Sequence, residues 1–389
     1  MDTTFTQPRR APILESLAGA LILAVGMGFG RFSFTGMYPL MVKEAAISVS
    51  AGSLAASANY AGYLLGALAM SRIREHHAAR LSRIAIVGTA ACLAALAFHP
   101  NIPMLVATRF VAGAMSAMSL VAASVWLLQA LGHHHGAPIL YAGVGAGIAI
   151  SAEFIALGHG TGLGSSPLWW VLAAVAAALS ALAWPKIVHS TSRIPDAPAH
   201  HAHQQHAQSE APIAAVTLIA MYGLAGFGYI VTATYLPLLI KTTLPHIDAV
   251  QVWAAFGLAA VPSCFVWHAL HERIGTRSSI VANLLLQAVG VILPALAHTS
   301  LTFMGSAVLV GGTFVGTVTI IMPAAKRVAH AVKFNLMAAL TAVYGAGQII
   351  GPLLSDRLVA HTHSFDQPLV AAGVALVAAA SLALVRRSS

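Results

Sequence analysis

The chain has 389 residues, of which 58% are hydrophobic and 8% are charged, and its formal net charge is +9. An average soluble domain is about 45–50% apolar and about 25% charged, so this composition argues against a water-soluble fold. A helix needs about 20 apolar residues to cross a hydrocarbon core of ~30 Å. The chain therefore has room for roughly a dozen spans and for no sizeable soluble domain.

Apolar stretches bounded by Pro, Gly, His or charged residues follow one another along the chain in two groups of six. Their lengths near 20 residues predict helices, because an open strand edge cannot be left in lipid. We therefore predict an all-α integral membrane protein with twelve transmembrane helices. The stretches lie at about 13–38, 51–70, 81–99, 103–128, 137–158 and 167–187, and then at 212–240, 250–270, 279–298, 300–325, 332–355 and 367–385.

A polar segment, 189–211, separates the two groups and contains prolines, acidic residues and five histidines. It predicts a flexible linker between an N-terminal bundle, 1–188, and a C-terminal bundle, 212–389. Its histidines and the run His133-His134-His135 could bind a metal. Neither run repeats a ligand spacing within a packed element, so we expect solvated loops, no metal and no cofactor. The five histidines are His189, His200, His201, His203 and His206.

The basic residues are distributed as membrane topology predicts. With both termini in the cytoplasm, fifteen of the twenty Lys and Arg residues fall on the inner side, in agreement with the positive-inside rule. Lys43, Lys241 and Arg357 fall on the outer side, and Arg31 and Arg109 fall inside spans. The basic charge thus indicates orientation in the membrane and gives no reason to expect a nucleic-acid partner.

An internal repeat relates the first span to the seventh at an offset of 198 residues. A looser match relates the fifth span, near Tyr141, to the eleventh, near Tyr344. Two six-helix halves related by a parallel repeat are the arrangement of major facilitator transporters, whose substrate site lies between the halves near mid-membrane. The identical segments of the first repeat are Gly28-Phe29-Gly30 with Gly226-Phe227-Gly228, Pro39-Leu40 with Pro237-Leu238, and Lys43 with Lys241.

Several motifs resemble the YbfB/YjiJ-type branch of the major facilitator superfamily and are spread over nearly the whole chain. The first span supplies the most specific of them, whereas the Arg109 motif is common across the superfamily. The resemblance implies a multi-pass transporter of the inner membrane, with two six-helix bundles related by a pseudo-two-fold axis. The motifs are Gly28-Phe-Gly30-Arg31-Phe32-Ser-Phe34-Thr35, Asn59-Tyr60-Ala-Gly62-Tyr63-Leu64, Arg109-Phe110-Val-Ala-Gly113, Tyr141-Ala-Gly143-Val-Gly145 and Gly347-Gln348-Ile-Ile-Gly351-Pro352.

The superfamily loop signature Gly-x-x-x-Asp-Arg-x-Gly-Arg is only partly present. Between the eighth and ninth spans its counterpart consists of Glu272, Arg273, Gly275 and Arg277. The resemblance implies a gating role for these four residues. The corresponding segment between the second and third spans is barely recognisable, which puts the same role in doubt for the first half.

Three ionisable residues fall inside spans: Arg31, Arg109 and Glu153. Each costs about 2.5–3.5 kcal/mol at mid-membrane on insertion scales, so each needs a partner or a watery cavity. At 1.5 Å per residue, Arg31 and Glu153 lie at about the same depth, ~27 and ~24 Å from the inner face. We therefore expect an Arg31–Glu153 ion pair, either static or proton-sensitive, in the resting state.

The repeat places Tyr229 at the position equivalent to Arg31. The flanking glycines and proline are the same in both repeats, whereas the charged arginine is replaced by a neutral tyrosine. An arginine in a central cavity can hold a carboxylate by two charge-assisted hydrogen bonds. We expect Glu153 and Arg109 to serve proton coupling, although Arg109 could instead bond neighbouring helices. The candidate substrate-binding residues are Arg31, Asn59, Tyr60, Tyr141, Tyr229, Tyr344 and Gln348, any of which could alternatively form inter-helix bonds.

These features predict a monomeric, proton-coupled secondary transporter that moves a small anionic or zwitterionic solute across the lipid bilayer by alternating access. The alternative is a proton-driven exporter of cationic amphipathic compounds attracted by Glu153. An enzyme is not expected, because the sequence has no nucleophile-elbow serine motif and no His-Glu-x-x-His helix.

Overall fold

The computed structural model describes residues 10–98, 100–191, 213–244 and 246–384, which are almost entirely helical and contain no strand. Short π-helical segments at Ala24–Phe32 and Val125–Ala130, and 3₁₀ turns at His134–Gly136 and Ala329–Ala331, connect the α-helices. The α-helices are α1 (Arg10–Leu23), α2 (Ser33–Lys43), α3 (Val49–Met70), α4 (Glu75–Leu96), α5 (Ile102–Ser124), α6 (Ala137–Gly160), α7 (Ser165–Thr191), α8 (Ala215–Thr243), α9 (Ala249–Leu296), α10 (Ser300–Val328), α11 (Leu336–Thr362) and α12 (Asp366–Leu384).

Ten helices in the described ranges are long and apolar enough to cross a membrane. One of them is continuous from α1 through the π-helical segment Ala24–Phe32 into α2 and ends at Lys43. Another is α9, whose 48 residues are interrupted by the non-helical backbone of Gly275. The 22-residue helix α3 does not reach the same hydropathy and is not among the ten. The chain is therefore a multi-pass membrane protein.

Polar side chains fix where several helices begin. A side-chain oxygen at the N-cap accepts a hydrogen bond from a backbone N–H of the first turn, which would otherwise lack a partner. The caps are Ser48 on α3, Asn101 on α5, Asp248 on α9, Thr299 on α10 and Asn335 on α11. Each cap stands directly before an apolar stretch, so loop chemistry and hydrophobicity agree on the boundaries.

The predicted apolar stretches all fall on these helices, although α4 begins at Glu75 rather than 81 and α11 ends at Thr362 rather than 355. Two further differences have structural causes. The first stretch continues past 38, because Pro39 is accommodated inside α2. The stretches at 250–270 and 279–298 are not separated by an extended loop, since only Gly275, at φ 82° and ψ 172°, leaves the helical region. Most of the predicted linker, 192–211, lies outside the described residues.

Small residues bring helices from the two predicted bundles into close contact. A methyl group on Gly145 of α6 would lie 2.6 Å from the carbonyl oxygen of Gly257 on α9, so the two backbones are in direct contact there. Such contacts suit a lipid environment, where association relies on close packing rather than on a hydrophobic drive. Helix α3 likewise packs against α11.

Candidate functional site

The site is built on the π-helical segment Ala24–Phe32, whose nine residues are all buried. Gly28 lets this segment approach α6, since an added methyl group would meet the backbone of Gly147 at 2.4 Å. A π-helical segment inside an α-helix leaves main-chain groups out of register and is common at functional sites. The segment ends by presenting Arg31, which is only 3% exposed, toward the interface between the two predicted bundles.

Two side chains from other helices donate hydrogen bonds to carbonyl oxygens at the end of the π-helical segment. Arg109 of α5 donates hydrogen bonds to the carbonyl oxygens of Gly30, at 2.9 Å, and Arg31, at 3.1 Å. The indole N–H of Trp253 on α9 donates to the carbonyl oxygen of Phe32 at 3.2 Å. Arg109 therefore holds the backbone that carries Arg31.

The guanidinium of Arg31 contacts only neutral groups. Its Nη2 donates to Gln348 Oε1 at 2.9 Å and lies 3.3 Å from the hydroxyl of Tyr229. Its Cζ lies 4.3 Å from the ring centroid of Tyr63 and 4.8 Å from that of Tyr60, within cation–π range. Both described hydrogen bonds of this side chain thus go to the second half, whereas the two tyrosine rings come from the first half.

Neither buried arginine is neutralised by a carboxylate. The ion pairs found among the described residues, His133–Glu15, His268–Glu272 and His298–Asp366, all use histidine and lie elsewhere. The Nε atoms of Arg31 and Arg109 are both buried without a hydrogen-bond partner. Two positively charged side chains are therefore buried in the same region of the interior, which makes this region attractive for an anion.

A stack of aromatic rings extends from Arg31 into the second half. Tyr229 stacks on Phe314 at 5.7 Å and on Tyr344 at 5.8 Å, and Tyr344 stacks on Tyr222 at 4.2 Å. Gln348 also donates to the Tyr229 hydroxyl at 2.6 Å. These contacts bring Arg31, Tyr229, Tyr344 and Gln348 together, as expected for one site.

Other candidate substrate residues have different partners. Tyr60 belongs to the site, since its ring faces Arg31 and its hydroxyl lies 2.9 Å from Thr234 Oγ1. Asn59 instead donates to the carbonyl oxygen of Arg109 at 2.9 Å, which is the inter-helix alternative. Tyr141 lies 3.2 Å from Ser124 Oγ and shares no described hydrogen bond or ring contact with Arg31.

The expected Arg31–Glu153 ion pair is wrong for this structure. Glu153 is half-buried and accepts a hydrogen bond from Gln251 Nε2 at 3.2 Å. Gln251 is in the first turn of α9, so Glu153 lies near the end of a span rather than at the level of Arg31. The depth calculation assumed straight helices and ignored the direction in which each side chain points. For Arg31 that direction depends on the π-helical segment, and for Glu153 it depends on the face of α6 that carries it.

The predicted gating residues form a turn in the middle of α9. Gly275 takes a positive φ of 82°, which allows the chain to reverse there. Glu272 lies 3.4 Å from His268, and Arg277 donates to the carbonyl oxygen of Ala383 near the end of α12. Arg273 is exposed. This geometry is compatible with the implied loop but does not test its gating role.

Of the histidines considered as metal ligands, the 200–206 group lies outside the described residues. His133 forms an ion pair with Glu15, with 2.9 Å between Nδ1 and the carboxylate oxygen Oε2. Glu15 is buried rather than solvated. No cluster of three or more potential metal ligands occurs among the residues that the structure describes. His133 therefore links the start of the first span to the loop before α6.

Sequence reasoning missed several residues of the site. Tyr63, Tyr222, Phe314, Thr234 and Trp253 all contact its members, although the sequence analysis singled out none as a site residue. A usable signal was present for Tyr63, which follows Tyr60 by one helical turn. The others are ordinary apolar-helix residues until the two halves are brought together.

The many apolar helices and the polar site buried between them define a membrane transport protein. A family model described as "Uncharacterised MFS-type transporter YbfB" matches residues 23–384, and the chain belongs to this family. The resemblance inferred from the motifs is thereby confirmed. Comparison with curated proteins gave no match. Family membership indicates transport rather than catalysis.

Proposed function

We propose that the protein is a secondary active transporter that moves a small organic anion or zwitterion by alternating access, with Arg31 binding the carboxylate of the solute. The observation that carries this proposal is the burial of two guanidinium groups with no carboxylate of the described residues paired to them. A buried charge is stable only when paired or well hydrogen-bonded. An incoming carboxylate would supply the missing negative charge.

The proposed architecture is the twelve-span, two-bundle arrangement. Counting α9 as two spans broken at Gly275 and α3 as one span supports this number. Contacts across the molecule support a pseudo-two-fold axis. Arg31 bonds Tyr229 and Thr35 bonds the carbonyl oxygen of Ala233, and both pairs are separated by the repeat offset of 198 residues. Residues that contact their own repeat equivalents must lie close to an axis that relates the repeats.

The hydrogen bonds between the halves suggest which side is closed. Besides those of the central site, several join residues near the α2–α3 and α8–α9 ends of the spans, as in Tyr235 to Ser53 at 2.7 Å and Ser50 to Asp356 at 2.9 Å. The basic-residue distribution assigns these ends to the outer face. We infer a state closed toward the outside, so that transport requires these bonds to break and re-form.

Arg31 is suited to couple binding to this rearrangement. The only described hydrogen-bond partners of its side chain, Tyr229 and Gln348, belong to the opposite half. A carboxylate is a stronger acceptor for a guanidinium than a neutral amide or hydroxyl. Substrate binding would therefore compete with the bonds that tie Arg31 to α8 and α11.

We also propose that transport is proton-coupled and that Glu153 takes part from the edge of the interface. Its bond to Gln251 joins α6 to α9 and must break if these helices separate. An ionised carboxylate accepts this hydrogen bond more strongly than a protonated one. Arg109 is assigned to positioning the π-helical segment, because both described hydrogen bonds of its side chain go to that backbone.

The same charges argue against the cationic-exporter alternative. Glu153 lies outside the central site, and the groups nearest to Arg31 are neutral or positively charged. A lipophilic cation at this position would meet two buried arginines. The described centre thus has no negative group to attract it.

Reconstitution into liposomes with an imposed pH gradient tests the proposal. Panels of organic acids, amino acids and cationic dyes are assayed for flux in both directions, with wild-type protein, Arg31→Gln and the matched control Arg357→Gln. Arg357 is an exposed arginine of α11 outside the site. We expect flux of at least one anion that Arg31→Gln reduces at least about tenfold and Arg357→Gln retains. Flux of cations alone, unaffected by Arg31→Gln, would contradict the proposal.

A further inference from the structure

A cavity lies between the halves, at the ends of the spans where the α2–α3 and α8–α9 connections are found. It has a volume of about 270 Å³. Its lining includes residues of α2, α6 and the start of α9. Its ionisable residues are Lys43, His159, Lys241, His246 and Asp248.

The two lysines of this cavity are repeat equivalents. Lys43 and Lys241 are separated by 198 residues, the offset that also separates Arg31 from its partner Tyr229. The cavity therefore lies on the same line through the molecule as the central site. Twelve residues separate Arg31 from Lys43, or about 18 Å at 1.5 Å per residue.

The charge of the cavity is positive even before its histidines are considered. Asp248 is the one acidic residue that lines it, and its carboxylate already accepts hydrogen bonds from the backbone N–H groups of Val250, at 2.9 Å, and Gln251, at 3.4 Å. The neighbouring Glu44 is bonded to the backbone and hydroxyl of Ser165. Two lysines thus face a single, engaged carboxylate in a concave site.

We propose that this cavity is an oxyanion-binding site in which Lys43 and Lys241, one from each half, hold the same carboxylate or phosphate group. Anion binding here is independent of the central site. Its role as the first binding site that the transported solute meets rests on the proposed function. Because the two lysines come from different halves, a bound anion would also cancel their mutual repulsion and favour the closed arrangement.

Lysine-specific acylation read out by mass spectrometry tests the shared site. The full-length protein is placed in phosphatidylcholine nanodiscs, whose lipids carry no net negative headgroup, and labelled in the presence of citrate, inorganic phosphate or sodium chloride at equal ionic strength. At ten times the dissociation constant about one site in eleven remains free, so labelling of Lys43 and Lys241 should slow about tenfold. Lys333, an exposed lysine outside the cavity, is the internal control.

The cross-variants separate a shared site from two independent surface lysines. In Lys43→Gln, protection of Lys241 by the anion should be lost, and in Lys241→Gln protection of Lys43 should be lost. Arg31→Gln should leave both protections intact, so failure of the central site and failure of this site give different results. Protection by citrate but not phosphate would assign the cavity to carboxylates, and the reverse result would assign it to phosphate groups.

Two results would overturn the proposal. One is equal slowing at Lys333, which reports bulk salt. The other is undiminished protection of Lys241 in Lys43→Gln. Because wild-type protection is itself decisive, the test does not depend on the stability of either variant.

Discussion

The first span and α8 are related by the internal repeat, yet they differ at the centre. Residues 24–32 form a π-helical segment, whereas the equivalent residues 222–230 continue as regular α-helix. The segment in the first span is stabilised from outside, by Arg109 and Trp253 on its carbonyl oxygens. A helix distortion of this kind persists where neighbouring helices satisfy the groups it releases.

The two buried arginines of this region have different kinds of hydrogen-bond partner. Arg109 bonds the backbone within its own half, whereas Arg31 bonds side chains of the other half. Two arginines that are buried to a similar degree can thus have different roles. We expect Arg109 to be needed for stability and Arg31 for solute binding. Substitutions of the two arginines test this division, and two further substitutions test the helix contact at Gly28 and the role of Glu153.

Arg109→Gln should have the largest effect on stability. It removes charged donors from two buried carbonyl groups, each of which costs about 1–3 kcal/mol when unsatisfied, for a total of about 2–6 kcal/mol. Thermal unfolding of the purified protein measures the loss, with Arg357→Gln as the matched control. An unchanged melting temperature would show that the π-helical segment does not depend on Arg109.

Arg31→Gln should weaken binding of the solute while leaving the fold intact. Hydrogen bonds to charged groups contribute about 1.5–3 kcal/mol, so kcat/KM for the anionic solute should fall about 10- to 150-fold. Removing an unpaired buried cation should not lower the melting temperature. Loss of stability equal to that of Arg109→Gln would remove the distinction between the two arginines.

Gly28→Ala should destabilise the first span by overpacking. Its methyl group would meet the backbone of Gly147, which cannot move aside as a flexible side chain can. Such insertions typically cost about 1–3 kcal/mol. Gly160→Ala on α6 is the control, because nothing lies within 4 Å of its added methyl group. Equal melting temperatures for the two variants would argue against the close contact.

Glu153→Gln should have the smallest effect on stability, below about 0.5 kcal/mol, because its bond to Gln251 is exposed. The variant cannot ionise, so the pH dependence of transport should flatten if Glu153 contributes to coupling. Initial rates across a series of external pH values measure this. An unaltered pH profile would remove Glu153 from the coupling mechanism.

The sequence predicted the helices well because lipid imposes a simple length and hydropathy rule. It also singled out Arg31, Tyr229 and Gln348 by charge, the repeat and the motif resemblance, and the structure brings these three side chains into contact. It misplaced Glu153 because depth along a helix does not determine which face a residue occupies. The π-helical segment was beyond such reasoning, since its stability depends on Arg109 and Trp253, which lie far away in sequence.

The aromatic stack shows a similar limit. Phe314 and Tyr222 have no local signal that distinguishes them from other residues of apolar helices, and their roles arise only when α8, α10 and α11 pack together. Cross-span contacts of this kind are not encoded by a short motif. The repeat is the exception, because equivalent residues that meet on an axis can be paired from the sequence.

The most direct test of the central claim is equilibrium binding of the best anionic solute from the flux screen to purified wild-type protein, Arg31→Gln and Arg357→Gln. If Arg31 neutralises the solute carboxylate, Arg31→Gln raises the dissociation constant about 10- to 150-fold and Arg357→Gln leaves it unchanged. Equal affinity in all three proteins would contradict the account, because the buried guanidinium would then have no part in recognising the solute.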